Sequence, residues 1–348
     1  MTHTITILSG RLSMILPARA VAMIIALIAV VTGILFWSVM SGSYSLSSSE
    51  VIATLRGNSP SQMASTVVWE FRLPRTLTAL FAGAFLAISG SILQYVTRNP
   101  LADPSLIGIS QGAALAVVWG TIMLPSMSIY WQPLLALVGS FIVSSFILML
   151  SVSNNGDDTL RFILMGLGIA AFISSITTAL LTYGDIELTL EALGWLSGSI
   201  HSAGWDEVLW LSSTTLIALP CLIFVIRPIS AIRFGPEVAI GLGVRVRQAR
   251  WCLIALAVAL AAIAVAAVGP LGFVGLIAPH LARRLARSGS GLHIIMTALT
   301  GATLVGIADF AGRVAFAPIQ IPAGIITAVI GVPIFVFLIL RVQLRGQF

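Results

Sequence analysis

Ten runs of about twenty apolar residues, separated by short polar or Pro-rich connections, set the pattern of the chain. They lie at about 20–41, 76–96, 106–124, 133–152, 162–183, 208–226, 251–268, 271–287, 294–311 and 322–340. A helix rises about 1.5 Å per residue and the hydrocarbon layer is about 30 Å thick, so each run predicts a helix of membrane length. The pattern is that of an all-α polytopic membrane protein with about ten transmembrane helices in a single domain, residues 1–348. An even number of spans places both termini on one side. The eighth run is short and holds Pro279, an interruption tolerated only against protein or a cavity. The first run follows Arg11 and Arg19. It is too long for a signal h-region and lacks an A-x-A site, so it reads as an uncleaved span.

Composition agrees with this pattern. Of 348 residues, 58% are hydrophobic and 9% charged, with a mean hydropathy of +1.06, against roughly 25% charged in soluble domains. The sequence has no lysine, and all 18 basic residues are arginine. That excludes a P-loop, which needs its Lys at the β/γ-phosphates, and a Schiff-base mechanism. With the N-terminus inside, only Arg56, Arg72, Arg75 and Arg313 fall on the outer face, and the remaining fourteen of the 18 fall inside. This asymmetry sets the orientation, with both termini cytoplasmic. The net charge of +6 therefore reflects orientation rather than nucleic-acid binding, because the basic residues are dispersed among short loops.

The outer arginines are the exceptions. Arg72 and Arg75 stand where the second span starts, and Arg313 ends the ninth, four residues after Asp309. Either they anchor the interface, with Asp309 and Arg313 pairing along one helix, or they form an outward basic site for carboxylates, which the planar guanidinium binds bidentately. On the inner face, residues 233–248 are too polar to span and too apolar for a solvated loop. Val238, Ile240, Leu242 and Val244 dock either on another molecule or on the protein's own inner face. Residues 185–207 lie outside, with a short helix expected at about 188–199. Pro100-Leu101 followed by Leu106-Ile107, and Pro270-Leu271 followed by Leu276-Ile277, share one spacing on opposite faces, as an inverted repeat would produce. Cys221 and Cys252 read as small core residues. The four histidines and two cysteines have no ligand spacing, so no metal site is expected.

Several ordered blocks carry a resemblance. RLPR at 72–75, NPLADP at 99–104, GISQG at 108–112, EVAIGLGV at 237–244, GPLGFVGLIAPHLAR at 269–283, ADFAGR at 308–313 and IPAGIITAVIGVPIFVFLIL at 321–340 resemble the FecCD family of ABC-importer permeases. The likeness runs from about residue 35 to the end of the chain. It implies a type II importer permease fold with an inverted repeat, in a bacterial inner membrane. The expected function is translocation of a metal chelate, a ferric siderophore first and heme or cobalamin as alternatives. The chain itself would be no enzyme and hold no cofactor. Two partner ATPase subunits would use ATP and Mg, a second permease subunit would complete a homo- or heterodimer, and a periplasmic binding protein would deliver cargo.

The resemblance also implies residue roles. Arg72, Arg75 and Arg313 would receive the binding protein. Glu237, Ala239, Gly241 and Gly243, in a coupling loop over 233–248, would engage the ATPase. Asn99 and Leu101 match one cytoplasmic gate, and Thr159 and Leu160, in the turn before the fifth span, match a second; Leu160 departs from the family's polar pattern there. Gly166, Ser174 and Thr178 of the fifth span would line the translocation path, although small residues equally serve close helix packing.

Two other classes remain. Gly108-Ile109-Ser110-Gln111-Gly112 satisfies G-x-S-x-G, the pattern of a hydrolase nucleophile, which needs a strand–turn–helix setting. An ion-coupled secondary transporter would bury an acid within its spans, and only Asp309 is a candidate.

Overall fold

A buried helix made from the second apolar run forms the centre of the bundle. The computed structural model describes residues 2–7, 12–42, 44–151, 158–317 and 319–344, with side chains placed except at 2–16, 106, 158–160, 338–339 and 341–344. A short antiparallel hairpin, β1 (Thr2–Ile7) with β2 (Leu12–Pro17), precedes the helical body. Then follow α1 (Ala18–Met40), α2 (Ser48–Leu55), α3 (Gln62–Thr66), α4 (Leu73–Thr97), α5 (Ile109–Met123), α6 (Gln132–Ser151) and α7 (Asp158–Tyr183). The second half holds α8 (Ile186–Leu196), α9 (Trp205–Ile232), α10 (Pro236–Gly241), α11 (Val246–Val268), α12 (Val274–Leu285), α13 (Ser290–Val314) and α14 (Ala323–Leu344).

Each of the ten apolar runs forms a helix. Among the described residues, seven are long and apolar enough to cross a membrane: α1, α4 with the turns before it, α6, α7, α9, α11 and α13. The helix α5 is a shorter apolar one, and α14 runs for 22 residues. At 12 residues, α12 reaches only about 18 Å, well short of a bilayer. The run predicted at 271–287 is shorter as a helix because the chain enters it as non-helical backbone, with Gly269 and Phe273 at positive φ of 72° and 67°. The segment behaves as a re-entrant element held against protein, where irregular backbone is tolerated at membrane depth.

Small residues let this bundle close. In the apolar window of α4, 83% of residues are buried, against 6% in α1, so α4 is the axis and α1 faces outward. A Cβ on Gly83 would run into the Gly301 carbonyl of α13, and one on Gly90 into the Gly275 carbonyl of α12. Gly112 of α5 and Gly139 of α6 meet in the same way. Without a hydrophobic drive between helices in lipid, such close backbone contact supplies the packing energy. Ser89 adds a bond across α4 and α11, its hydroxyl donating to the Ala257 carbonyl at 2.7 Å.

The two Pro-Leu segments lie in the α4–α5 and α11–α12 connections. Both connections dip into the bundle, where Pro104 packs against Gly275. Gln94 ties the first of them to α12. Its amide donates toward the carbonyls of Ala102 (3.3 Å), Gly275 (3.4 Å) and Leu276 (3.4 Å), and its carbonyl accepts from Arg283 at 2.5 Å. Cys221 and Cys252 are exposed on the bundle surface, which corrects the expectation of core positions; both sit on faces of α9 and α11 turned away from the neighbouring helices.

Candidate functional site

Arg72, Arg75 and Arg313 converge at one end of α4. A π-helical turn, Val67–Arg72, leads directly into α4. It places Arg72 beneath the last turn of α1, whose carbonyls have no partner within their own helix. The Arg72 guanidinium donates to Val39 O (2.9 Å), Met40 O (3.2 Å) and Tyr44 O. Gly42 leaves room for that guanidinium, which a Cβ at this position would meet. Arg313, in the last turn of α13, donates to Ser38 O (2.7 Å) and Ser38 Oγ (2.6 Å).

Arg75 holds Asp309. Its Nε and Nη2 each lie 2.8 Å from Asp309 Oδ1. Its Nη1 donates to Gln320 Oε1 at 2.7 Å and lies 3.2 Å from His201 Nδ1. Asp309 therefore pairs across helices with Arg75, and the expected pairing with Arg313 along one helix is not formed. Arg313 is drawn instead to the end of α1. This end of the bundle also gathers the α8–α9 connection, where the Gly198 carbonyl accepts from Gly324 N at 2.9 Å, and the start of α14. The helix α8 spans Ile186–Leu196, begins on the Asp185 side-chain cap, and occupies the place expected at 188–199.

The three arginines are only 4–7% exposed, yet they share the wall of a cavity of about 180 Å³. Gly42, Tyr44, Phe71, His201 and Gln320 complete it. Three guanidiniums face one carboxylate, so the cavity keeps a positive surplus. Tyr44, His201 and Gln320 escaped sequence reasoning, because they reach the arginines from three separate connections of the chain.

The opposite end of α4 carries a second assembly. Arg98 terminates the helix at φ 53°, and its Nη2 reaches Ile232 O of α9 at 3.4 Å. The Asn99 side chain accepts from Leu101 N at 2.9 Å, and its carbonyl accepts from Ala102 N, so Asn99 builds the turn that presents Leu101. Just beyond Ile232, Gly235 at φ 122° opens α10. Ala239 is fully buried beneath this helix, while Glu237 and Gly241 are exposed and Gly243 turns the chain at φ 78°. Phe234, Val238, Ile240 and Leu242 form an exposed apolar face. Val244 departs from the expected set: it packs on the main core.

Asp158 to Arg161 belong to the first turn of α7 and not to a preceding turn; the side chains of Thr159 and Leu160 lie outside the described residues. Along α7, Gly166 is turned into the bundle while Ser174 and Thr178 are exposed. Thr178 donates to the Ser174 carbonyl at 2.9 Å and Ser175 to the Ala171 carbonyl at 3.0 Å, so these hydroxyls are satisfied without a partner chain. Ser110 of the G-x-S-x-G segment sits in the first turn of α5 after Gly108, in a helix–helix setting that lacks the strand of a nucleophile elbow. Asp309 is neutralised by Arg75, which removes it as a free intramembrane acid. Among the described residues no group of three His, Cys, Asp or Glu side chains is placed to hold a metal.

Comparison with known proteins places these ends in a wider context. The model of the FecCD transport family matches residues 10–341. The achromobactin transport system permease protein CbrC of Dickeya dadantii is 35% identical over 342 residues, 98% of this chain and 97% of that protein. The ferric enterobactin transport system permease protein FepG of Escherichia coli is 35% identical over 306 residues, 87% of this chain and 90% of that one. A solved inward-facing structure, assigned as a metal-chelate type ABC transporter, superposes with a TM-score of 0.79 at 29% identity, covering 92% of this chain and 99% of that chain. The chain belongs to the FecCD transport family.

Proposed function

We propose that the chain is the membrane permease subunit of a binding-protein-dependent ABC importer whose cargo is a ferric siderophore. The observation that carries this reading is the two-ended construction of α4. A positively charged cavity stands at its Arg75 end, and a gate-like turn joined to an exposed apolar helix stands at its Arg98 end. The Arg75 end is assigned to the outside and both termini to the cytoplasm of a cell bounded by this inner membrane. A periplasmic binding protein offers carboxylates to the cavity of Arg72, Arg75 and Arg313. Because these side chains are recessed, the partner's acids reach into the cavity rather than meeting protruding charges.

At the other end, Val238, Ile240 and Leu242 seat in an ATPase subunit, with Glu237, Gly241 and Gly243 shaping the contact and Ala239 anchoring α10 to the bundle. Arg98 links the end of α9, which leads directly into α10, to the Asn99–Leu101 turn, so movement of α10 reaches the exit. Thr159 and Leu160 are assigned to the same exit. Ser174 and Thr178 line the path beside a second permease subunit, the Thr178 hydroxyl already bonded to the Ser174 carbonyl and therefore weakly adhesive to cargo; Gly166 supports the packing behind them. ATP and Mg act in the partner ATPases. The relatives named for achromobactin and enterobactin transport support siderophore cargo over heme or cobalamin. Uptake of labelled ferric siderophores, heme and cobalamin by cells with and without this gene tests the choice. Loss of ferric siderophore uptake alone is expected, and loss confined to cobalamin or heme overturns the assignment.

A further inference from the structure

A second basic cavity, of about 350 Å³, lies at the Arg98 end of the bundle and is lined by Tyr95, Arg233, Arg283, Arg287, Ser288 and His293, with Ala286 in its wall. It gathers residues far apart in sequence. Tyr95 comes from the last turns of α4, Arg233 from the end of α9, Arg283 from α12, Arg287 and Ser288 from the connection that follows, and His293 from α13. No carboxylate is among the lining residues. The Arg75–Asp309 ion pair lies at the other end of α4. Arg283 is held in place by its bond to Gln94 Oε1. The Tyr95 and His293 rings meet edge-to-face at 5.8 Å and form a rigid aromatic wall below the arginine rim, with His293 nearly fully buried.

Three guanidiniums around one cavity without an acid demand an anion, and the planar fork suits a phosphate oxygen cage. The position favours a lipid source for that phosphate. Ala286 packs with Ala282, Leu292 and Met296 against Ala20 at the start of α1, and α1 is the helix whose window is only 6% buried. The cavity thus adjoins the membrane-facing flank of the bundle at headgroup level, and basic pockets between spans on the cytoplasmic side suit anionic headgroups. We propose that this cavity binds the phosphate headgroup of an anionic phospholipid of the inner leaflet. The proposal rests on the orientation assigned above, but not on the identity of the cargo.

The test uses the purified full-length permease and native mass spectrometry, with phosphatidylglycerol, phosphatidylcholine and inorganic pyrophosphate as separate probes. The Arg233→Gln/Arg287→Gln pair removes two charges from the exposed rim and leaves Arg283 and its bond to Gln94 in place. Phosphatidylglycerol is expected to be retained by the wild type in preference to phosphatidylcholine, with occupancy falling at least about tenfold in the variant, since each basic residue near the surface contributes severalfold to anionic-lipid affinity. Equal phosphatidylglycerol occupancy in both proteins overturns the proposal. So does pyrophosphate binding that needs the two arginines while lipid binding does not, which makes the site one for a soluble phosphate. Loss of ATPase co-purification with unchanged lipid occupancy overturns it too, and assigns the arginines to acidic residues of that partner.

Discussion

Arg75 and Asp309 are 234 residues apart in the chain and 2.8 Å apart in the structure. Their pairing fastens α4 to α13 beside the arginine-lined cavity. The Asp309 side chain is 2% exposed and that of Arg75 9%, so solvent screens the pair little. Removing one partner from such a pair typically costs about 3–5 kcal/mol, because the other charge is stranded. Arg75→Ala and Asp309→Ala are each expected to lower the thermal unfolding temperature in detergent. The double variant should lose clearly less than the sum of the singles. Additive losses would mean that the two side chains act independently.

Gly83→Leu sets a side chain against the Gly301 carbonyl, and the contact is backbone that cannot yield. The expected result is loss of monodisperse protein on size-exclusion chromatography. Gly168→Leu, where a Cβ meets nothing within 4 Å, should express normally. Equal yields would contradict the close α4–α13 approach.

Gln94→Leu keeps the volume and removes the Gln94 bonds that join α4 to the α4–α5 connection and to α12. The Gly275 and Leu276 carbonyls and the Arg283 guanidinium then lose a buried partner, at about 1–3 kcal/mol for a stranded polar group. Uptake is expected to fall by more than folded yield, because these bonds hold the Asn99–Leu101 turn in register with α12. A variant with wild-type uptake would remove Gln94 from the account.

Ile240→Glu places a charge on the exposed face of α10 without touching the core, since Ile240 is 64% exposed. The permease should fold normally and fail to retain its ATPase subunits on affinity purification. Ala239→Leu, at a fully buried position, should instead disturb the seating of α10 on the bundle. Undiminished ATPase retention in Ile240→Glu would move the docking surface elsewhere.

The span pattern was legible because hydrocarbon demands long apolar helices, and each predicted run lies on a helix. Where sequence reasoning fell short, the determining contact was distant along the chain. Asp309 and Arg313 stand four residues apart and look like a pair, but Arg75 and Ser38 compete for them from other helices. Gln94 looks like one polar residue near a span end until the α4–α5 connection and the start of α12 are seen to meet around it. The shortness of α12 depends on the positive φ of Phe273, a conformation that a bulky residue adopts only when its surroundings impose it. Cys221 and Cys252 were misplaced because in a membrane the outer surface is apolar too, so hydrophobicity alone does not distinguish core from lipid face.

Transport by proteoliposomes tests the central claim most directly. The permease is reconstituted with its ATPase subunits and ATP inside, and the binding protein loaded with a labelled ferric siderophore outside. The account predicts uptake that needs both internal ATP and the binding protein, and that is indifferent to proton or sodium gradients. Uptake that persists without ATP and follows an ion gradient would contradict it.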